Sequence, residues 1–158
     1  MELNDKQLKY DKAYLRLAKS WANLSHCVRK KVGAIIVKDG MIISDGYNGT
    51  PKGFDNSCET SIMPESIAPC NLRDHPPNAL VTKPEVLHAE SNAITKLAKS
   101  TQSSRDSVLY TTASPCMDCA KLIIQSDISR VVYGELYKNS DGINLLKKAN
   151  IQVEHCKI

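Results

Sequence analysis

The stretch VGAIIVKDGMIISDGYN, residues 32–48, sets two β-branched apolar runs on either side of Asp39-Gly40. Asp-Gly between such runs signals a two-residue hairpin turn, so antiparallel strands are expected over 32–38 and 41–47. The chain downstream is of another kind. PEVLHAESNAITKLAKS carries helical spacing from about 88 to 99, VLYTTA (108–113) reads as a strand, and SPCMDCAKLIIQS opens a helix. There Ser114 is the candidate N-cap and Pro115 takes the favoured first position. RVVYGEL (130–136) is a further strand, INLLKKAN a short helix closed by Asn150, and IQVEHCKI a last strand. Upstream, Leu8, Leu15, Ala18 and Ala22 recur at helical spacing over 5–23. Strands that alternate with helices imply parallel crossovers, whereas the first pair is antiparallel. The expected fold is therefore α/β, a three-layer α-β-α arrangement around a mixed five-stranded sheet.

A length of 158 residues suits one domain, residues 1–158, with a long polar loop at about 51–87 rich in Pro, Asn, Ser and Asp. No apolar run approaches the roughly 20 residues of a membrane span, and the charged start MELNDKQLKYDKAYLRL does not resemble a signal peptide. A cytoplasmic protein is expected, with no membrane partner. In that setting the six cysteines read as metal ligands, catalytic groups or small buried hydrophobes rather than a disulfide framework. The net charge of +4 is mild, with Arg29, Lys30 and Lys31 its only tight cluster, and there is one Trp and one Phe. A nucleic-acid binder would show a basic stripe with interleaved aromatics, so none is expected as partner.

The chemistry concentrates on two helix starts. Glu90, Ala93, Ile94 and Leu97 share one stripe, which turns Glu90 toward the core. A desolvated carboxylate has its pKa raised, as befits a group that accepts and returns a proton near neutral pH. Cys116, Cys119, Ala120 and Ile123 share a face of the later helix, with both thiols in its first turn, where the helix dipole favours thiolates. His88, two positions before Glu90, is expected at the helix boundary, where it can meet the thiols while Glu90 stands beside the metal without binding it. One imidazole and two thiolates make a three-ligand zinc site whose fourth position is left for water. Such an open position serves catalysis, because the metal brings the pKa of that water toward about 7.

HAE at 88–90 and PCMDC at 115–119 match the zinc nucleobase deaminase signature H-x-E followed by P-C-x-x-C. From about residue 25 the chain resembles the cytidine deaminase superfamily. Within it, CVRKKVGAIIVKDGMIISDGYNGTPKG (27–53) is similar to the deoxycytidylate (dCMP) deaminases, phage-encoded members included. The resemblance implies attack of metal-activated water on carbon 4 of cytosine, with Glu90 carrying the proton to the ring nitrogen and then to the departing ammonia. It implies that the Ala89 N–H holds the base carbonyl, the Ser114 carbonyl receives the amino group, Asn48 binds the sugar and Tyr137 contacts substrate. The phosphate calls for cations or hydroxyls, for which Arg29, Thr50 and Lys52 are candidates. The family is also commonly activated by dCTP and inhibited by dTTP, bound with Mg²⁺ at subunit contacts of a homohexamer. Arg29, Lys31, Gly49 and Lys52 are candidate contacts for such an effector.

Cys27, Cys58, Cys70 and His75 form a second group, with His26 near it. They read either as unlinked reduced thiols or as a second, structural zinc that pins the 51–87 loop, as in some relatives. Cys156 is expected to be a buried strand residue. The leading function is deamination of dCMP to dUMP, supplying thymidylate synthesis. The alternatives are a zinc deaminase acting on cytidine, cytosine or tRNA adenosine, and a zinc-stabilised binding module without turnover. The former, if it served tRNA, would need a basic face that the sequence lacks, and the latter would tolerate Glu90→Gln.

Overall fold

A computed structural model describes residues 5–61 and 79–158. The order is α1 (Asp5–Ala22), β1 (Gly33–Lys38), β2 (Met41–Tyr47), β3 (Glu59–Ser61), β4 (Leu80–Thr82), α2 (Ala89–Leu97), β5 (Val108–Ala113), α3 (Met117–Gln125), β6 (Arg130–Glu135), α4 (Asp141–Lys148) and β7 (Gln152–His155). Asp39 and Gly40 both take positive φ, 50° and 76°, which is the backbone that a tight hairpin with the twist of its strands requires. The main sheet runs β2-β1-β5-β6-β7. β1 is antiparallel to β2 and β5, and β5, β6 and β7 are mutually parallel. The mixed sheet inferred from the hairpin and the later alternation is thus the one observed.

Both faces of the sheet are covered, which is why β1 reads as a continuous apolar run and not as an alternating one. On one face α1 sets Leu15 and Ala18 against Ile35, Val37, Tyr110 and Val132. On the other, Ala93 and Leu97 of α2, Ala120 and Ile123 of α3 and Leu146 of α4 pack on Ala34, Ile36, Leu109 and Val131. Under α1 lies one buried ionic group. Arg130 donates to both oxygens of Asp11 at 2.9 and 2.7 Å and to Glu154 at 2.7 Å, and the Tyr110 hydroxyl donates to Asp11 at 2.8 Å.

Several boundaries differ from the sequence reading. α3 starts at Met117 with Cys116 as its N-cap, because Ser114, Pro115 and Cys116 stay outside the helix, Cys116 at ψ 174°. α4 begins at Asp141, ahead of Ile143, and Cys156 is buried just past the end of β7. The polar interval 51–87 contains the short β3–β4 pair, which its sequence does not announce. Residues 62–78 of that interval, with Cys70 and His75, lie outside the described residues. No described helix is long and apolar enough to cross a membrane.

Candidate active site

α2 is placed by contacts at its first turn. Gly46 at the end of β2 has no side chain because a Cβ there would stand 2.3 Å from the Ala89 carbonyl and 2.7 Å from the Ala93 nitrogen. Asn92 donates to the Tyr47 carbonyl at 2.8 Å, and Gly49 and Leu87 exchange two backbone hydrogen bonds of 3.0 and 2.8 Å. These ties hold His88 as the N-cap of α2, at φ −75° and ψ 158°, with its carbonyl taken by the Asn92 N–H and the Ser91 hydroxyl. The backbone is extended at His88, and Glu90, the next residue but one, is 3% exposed on the core side.

The start of α3 is placed just as tightly. Ser114 donates its N–H to the Glu135 carbonyl at 2.8 Å, and its hydroxyl accepts the Tyr137 N–H at 2.8 Å, locking the ends of β5 and β6 together. Gly142 at the head of α4 presses on this segment, since a Cβ there would meet the Pro115 carbonyl oxygen at 2.1 Å.

The two helix starts bring His88, Cys116 and Cys119 together. His88 Nδ1 lies 3.4 Å from Cys116 Sγ and 3.3 Å from Cys119 Sγ. A tetrahedral zinc with ordinary bonds to nitrogen and sulfur keeps those atoms about 3.5 Å apart, so the donor set fits the ion with shifts of a few tenths of an ångström. Only one thiol of the pair is ionised before a metal arrives: the hydrogen bond with Cys116, together with burial, pushes the Cys119 thiol up, so a metal must displace its proton. Hydrogen bonds from Cys119 and His88 hold the Cys116 thiol down at about 3, a thiolate at neutral pH. The hydrogen bond to Cys116, against the opposing effect of burial, raises the His88 pKa. Among the described residues this is the one cluster of three His, Cys, Asp or Glu donors of metal-holding geometry, with no fourth side chain closing it. Glu90 stands beside it, its pKa pushed up to about 7 by burial, in hydrogen-bonding contact with Cys119.

These groups open on a cavity of about 240 Å³. Of the residues singled out from sequence, His88, Ala89, Glu90, Cys116, Ser114, Asn48, Tyr137, Arg29, Cys27 and, behind them, Cys119 come together here. Asn48 is fastened to the facing wall: its Oδ1 accepts the Val32 N–H and its Nδ2 donates to the Lys30 carbonyl, both at 2.8 Å. Each group still has one hydrogen-bonding position to spare.

Other candidates fall elsewhere. The Thr50 hydroxyl donates to the Asp55 carbonyl at 2.6 Å and, like Gly49 and Lys52, is not part of the cavity wall. Lys31 lines a different cleft, because the chain entering β1 is extended and turns successive side chains apart. The wall includes residues that the sequence reading passed over: Lys30, Glu59, Thr82 and Lys138. Lys30 and Lys138 flank the Tyr137 ring at 4.8 and 5.1 Å. Glu59 accepts the N–H groups of Val28 and Arg29, and Arg29 donates to Thr82 at 3.2 Å. The Lys138 backbone turns at φ 56° straight after Tyr137, a reversal that a single lysine does not announce in sequence.

The expectation of unlinked reduced thiols is corrected: Cys27 and Cys58 form a disulfide. Thirty-one residues separate them in sequence, and the pairing results from β3 folding back beside the segment that enters β1. A bonded sulfur is not a thiolate ligand, so in this state neither serves the four-donor zinc expected with Cys70 and His75.

The family model for the cytidine and deoxycytidylate deaminase zinc-binding region matches residues 8–135. The chain belongs to that family. It is 35% identical to the deoxycytidylate deaminase of Enterobacteria phage T4 over 170 residues, covering 88% of this chain and 86% of the relative. It is 34% identical to the deoxycytidylate deaminase of Homo sapiens over 140 residues, 87% of this chain and 71% of the relative. Among solved structures, the dCMP deaminase of cyanophage S-TIM5 in complex with dCMP and dUMP superposes with a TM-score of 0.78 at 38% identity, over 98% of this chain and 99% of that one. The five-stranded sheet with its helices is the α/β fold of these deaminase structures.

Proposed function

We propose that this chain hydrolyses dCMP to dUMP and ammonia, supplying dUMP for thymidylate synthesis in a cytoplasm. The carrying observation is one cavity that joins the His88, Cys116 and Cys119 cluster and buried Glu90 to a cationic wall of Arg29, Lys30 and Lys138. The first half fits a cytosine ring and the second a 5′-phosphate.

His88, Cys116 and Cys119 would hold zinc, which when bound supplies a Lewis acid that makes water a nucleophile near neutral pH. Glu90, its pKa raised by burial, takes one proton from that water for the ring nitrogen and a second, from the hydroxyl then carried by carbon 4, for the departing ammonia. Ala89 offers the free N–H of a first helical residue to the base carbonyl. The Ser114 carbonyl, which accepts no backbone hydrogen bond among the described residues, faces the amino group. Asn48 uses its spare positions on the sugar, and Tyr137, gripped by Ser114, closes the side.

Dispensing dCMP, dCTP, deoxycytidine and cytosine to the zinc-loaded protein and measuring ammonia release tests this. Release from dCMP far above the rest is expected, and equal release from deoxycytidine would remove phosphate recognition.

The family supports two finer readings. The first is activation by dCTP and inhibition by dTTP, each with Mg²⁺, in a homohexamer. A dCTP titration at subsaturating dCMP should raise the initial rate, and a flat response counts against it. The second is structural zinc on Cys27 and Cys58 once their bond is reduced, completed from the 62–78 segment. Two zinc ions per reduced chain support it, and one rejects it.

A further inference from the structure

The segment 26–32, which carries Arg29 and Lys30 into the cavity wall, belongs to no helix or strand. No ladder of backbone hydrogen bonds sets its path, and side chains set it instead. The Cys27 N–H donates to the Ser25 hydroxyl at 3.2 Å and the Val32 N–H to Asn48 Oδ1 at 2.8 Å. Between them the Val28 and Arg29 N–H groups converge on one oxygen, Glu59 Oε1, at 2.9 and 3.1 Å. Among the described residues neither of these two N–H groups donates to a backbone carbonyl.

Glu59 opens β3, where it stands opposite Thr82, the last residue of β4. Partners directly across an antiparallel pair project to the same face. Thr82 accepts from Arg29 Nη1 at 3.2 Å, so one rung of the β3–β4 ribbon takes Arg29 twice, by its backbone through Glu59 and by its guanidinium through Thr82. The Cys27–Cys58 bond ties the ribbon to the same segment one residue earlier on each side. A carboxylate is an unfavourable neighbour for a phosphate, yet Glu59 lines the cavity together with Arg29, Lys30 and Lys138. The two amides that it accepts account for its presence, since hydrogen bonds to an ionised acceptor are roughly twice as strong as neutral ones.

We infer that Glu59 is a positioning residue for phosphate recognition: it fixes the Arg29 backbone so that the guanidinium, steadied by Thr82, meets the substrate's phosphate at a place set in advance. Thr82 occupies one of the five guanidinium N–H donors and leaves the others for a ligand. A fork held in place before binding loses less conformational freedom when the phosphate arrives. The inference rests on the proposed dCMP reading and adds to it a residue that acts through Arg29.

The test compares Glu59→Ala, which removes the acceptor, with Glu59→Gln, which keeps an amide oxygen in its place, and repeats Glu59→Ala in an Arg29→Ala background. Glu59→Ala should raise KM for dCMP about tenfold with kcat held within about twofold, the pattern of lost uniform binding. For deoxycytidine, which has no phosphate, kcat/KM should stay within about twofold, and Glu59→Gln should recover most of the affinity for dCMP. With Arg29→Ala already present, Glu59→Ala should add less than about twofold, the non-additivity of residues that act as one unit. Amide hydrogen exchange, read by NMR without substrate, should show protection at Val28 and Arg29 lost in Glu59→Ala and kept in Glu59→Gln. Equal losses with both substrates, additive effects in the double variant, or unchanged exchange at the two amides would overturn the inference. Ammonia release from deoxycytidine as ready as from dCMP in the wild type would sink the phosphate reading instead, and the exchange measurement would still decide whether Glu59 holds the Arg29 backbone.

Discussion

The Asn48 side chain grips the backbone of Lys30, donating to its carbonyl at 2.8 Å while accepting the Val32 N–H at the same distance. The residue proposed to bind the sugar therefore also sets the path of Arg29 and Lys30. In Asn48→Ala two partly buried backbone groups lose their partners, at about 1–3 kcal/mol for each that water fails to reach. The expected result is a lower Tm together with a higher KM for dCMP. A variant with wild-type Tm and a raised KM would show that Asn48 touches only the substrate.

Glu90 is the most separable part of the machinery, because it is buried next to the metal donors without being one of them. Glu90→Gln keeps its shape and removes the proposed proton carrier. Zinc content by atomic absorption should match wild type, and kcat should fall by at least about 10²–10⁴, the usual worth of a general acid-base. Undiminished turnover would return the chain to the class of zinc-stabilised binding modules.

The sequence made the cluster legible for a simple reason. Two residues from His88 to Glu90 and three from Cys116 to Cys119 are distances that local backbone geometry alone controls. The same logic failed where backbone geometry departs from its commonest form: Ser114-Pro115 looks like a helix start, yet Cys116 is still extended and takes the cap itself. It failed too wherever tertiary proximity decides. Cys27 and Cys58 meet because of β3, a three-residue strand in a polar stretch with no periodicity to betray it. Neighbouring lysines also look alike in sequence, although Lys30 reaches the substrate cavity and Lys31 does not.

Gly142 is expected to control the metal donors from outside the cavity. Its missing Cβ would overlap the Pro115 carbonyl at 2.1 Å and crowd the Cys116 carbonyl at 2.8 Å, both of them backbone atoms that cannot rotate aside. Gly142→Ala must push α4 off the loop that presents Cys116. Overpacking of this kind costs about 1–3 kcal/mol. The observable is a lower Tm with weaker zinc retention in a chelator competition, and retention equal to wild type would show that the loop holds its shape without α4.

The Asp11–Arg130 pair predicts the acid limit of stability. Burial works to raise the Asp11 pKa, but hydrogen bonds from Arg130, Gln7 and Tyr110, with the attraction of Arg130, outweigh it and leave the carboxyl below its ordinary value. A carboxyl whose pKa is lower folded than unfolded binds fewer protons in the native state. Its contribution is thus complete above the unfolded value of about 3.9 and is lost as the pH falls through the native one. Asp11→Asn removes the charge, leaves Arg130 with Glu154 alone, and should cost up to about 3–5 kcal/mol at pH 7, the range for breaking a buried pair. Urea unfolding of both proteins from pH 7 downward checks the sign. The gap between wild type and Asp11→Asn should hold steady to about pH 5 and close below pH 4 as Asp11 protonates. A gap that widens on acidification would mean that Asp11 is neutral in the native protein and that Arg130 is held by Glu154.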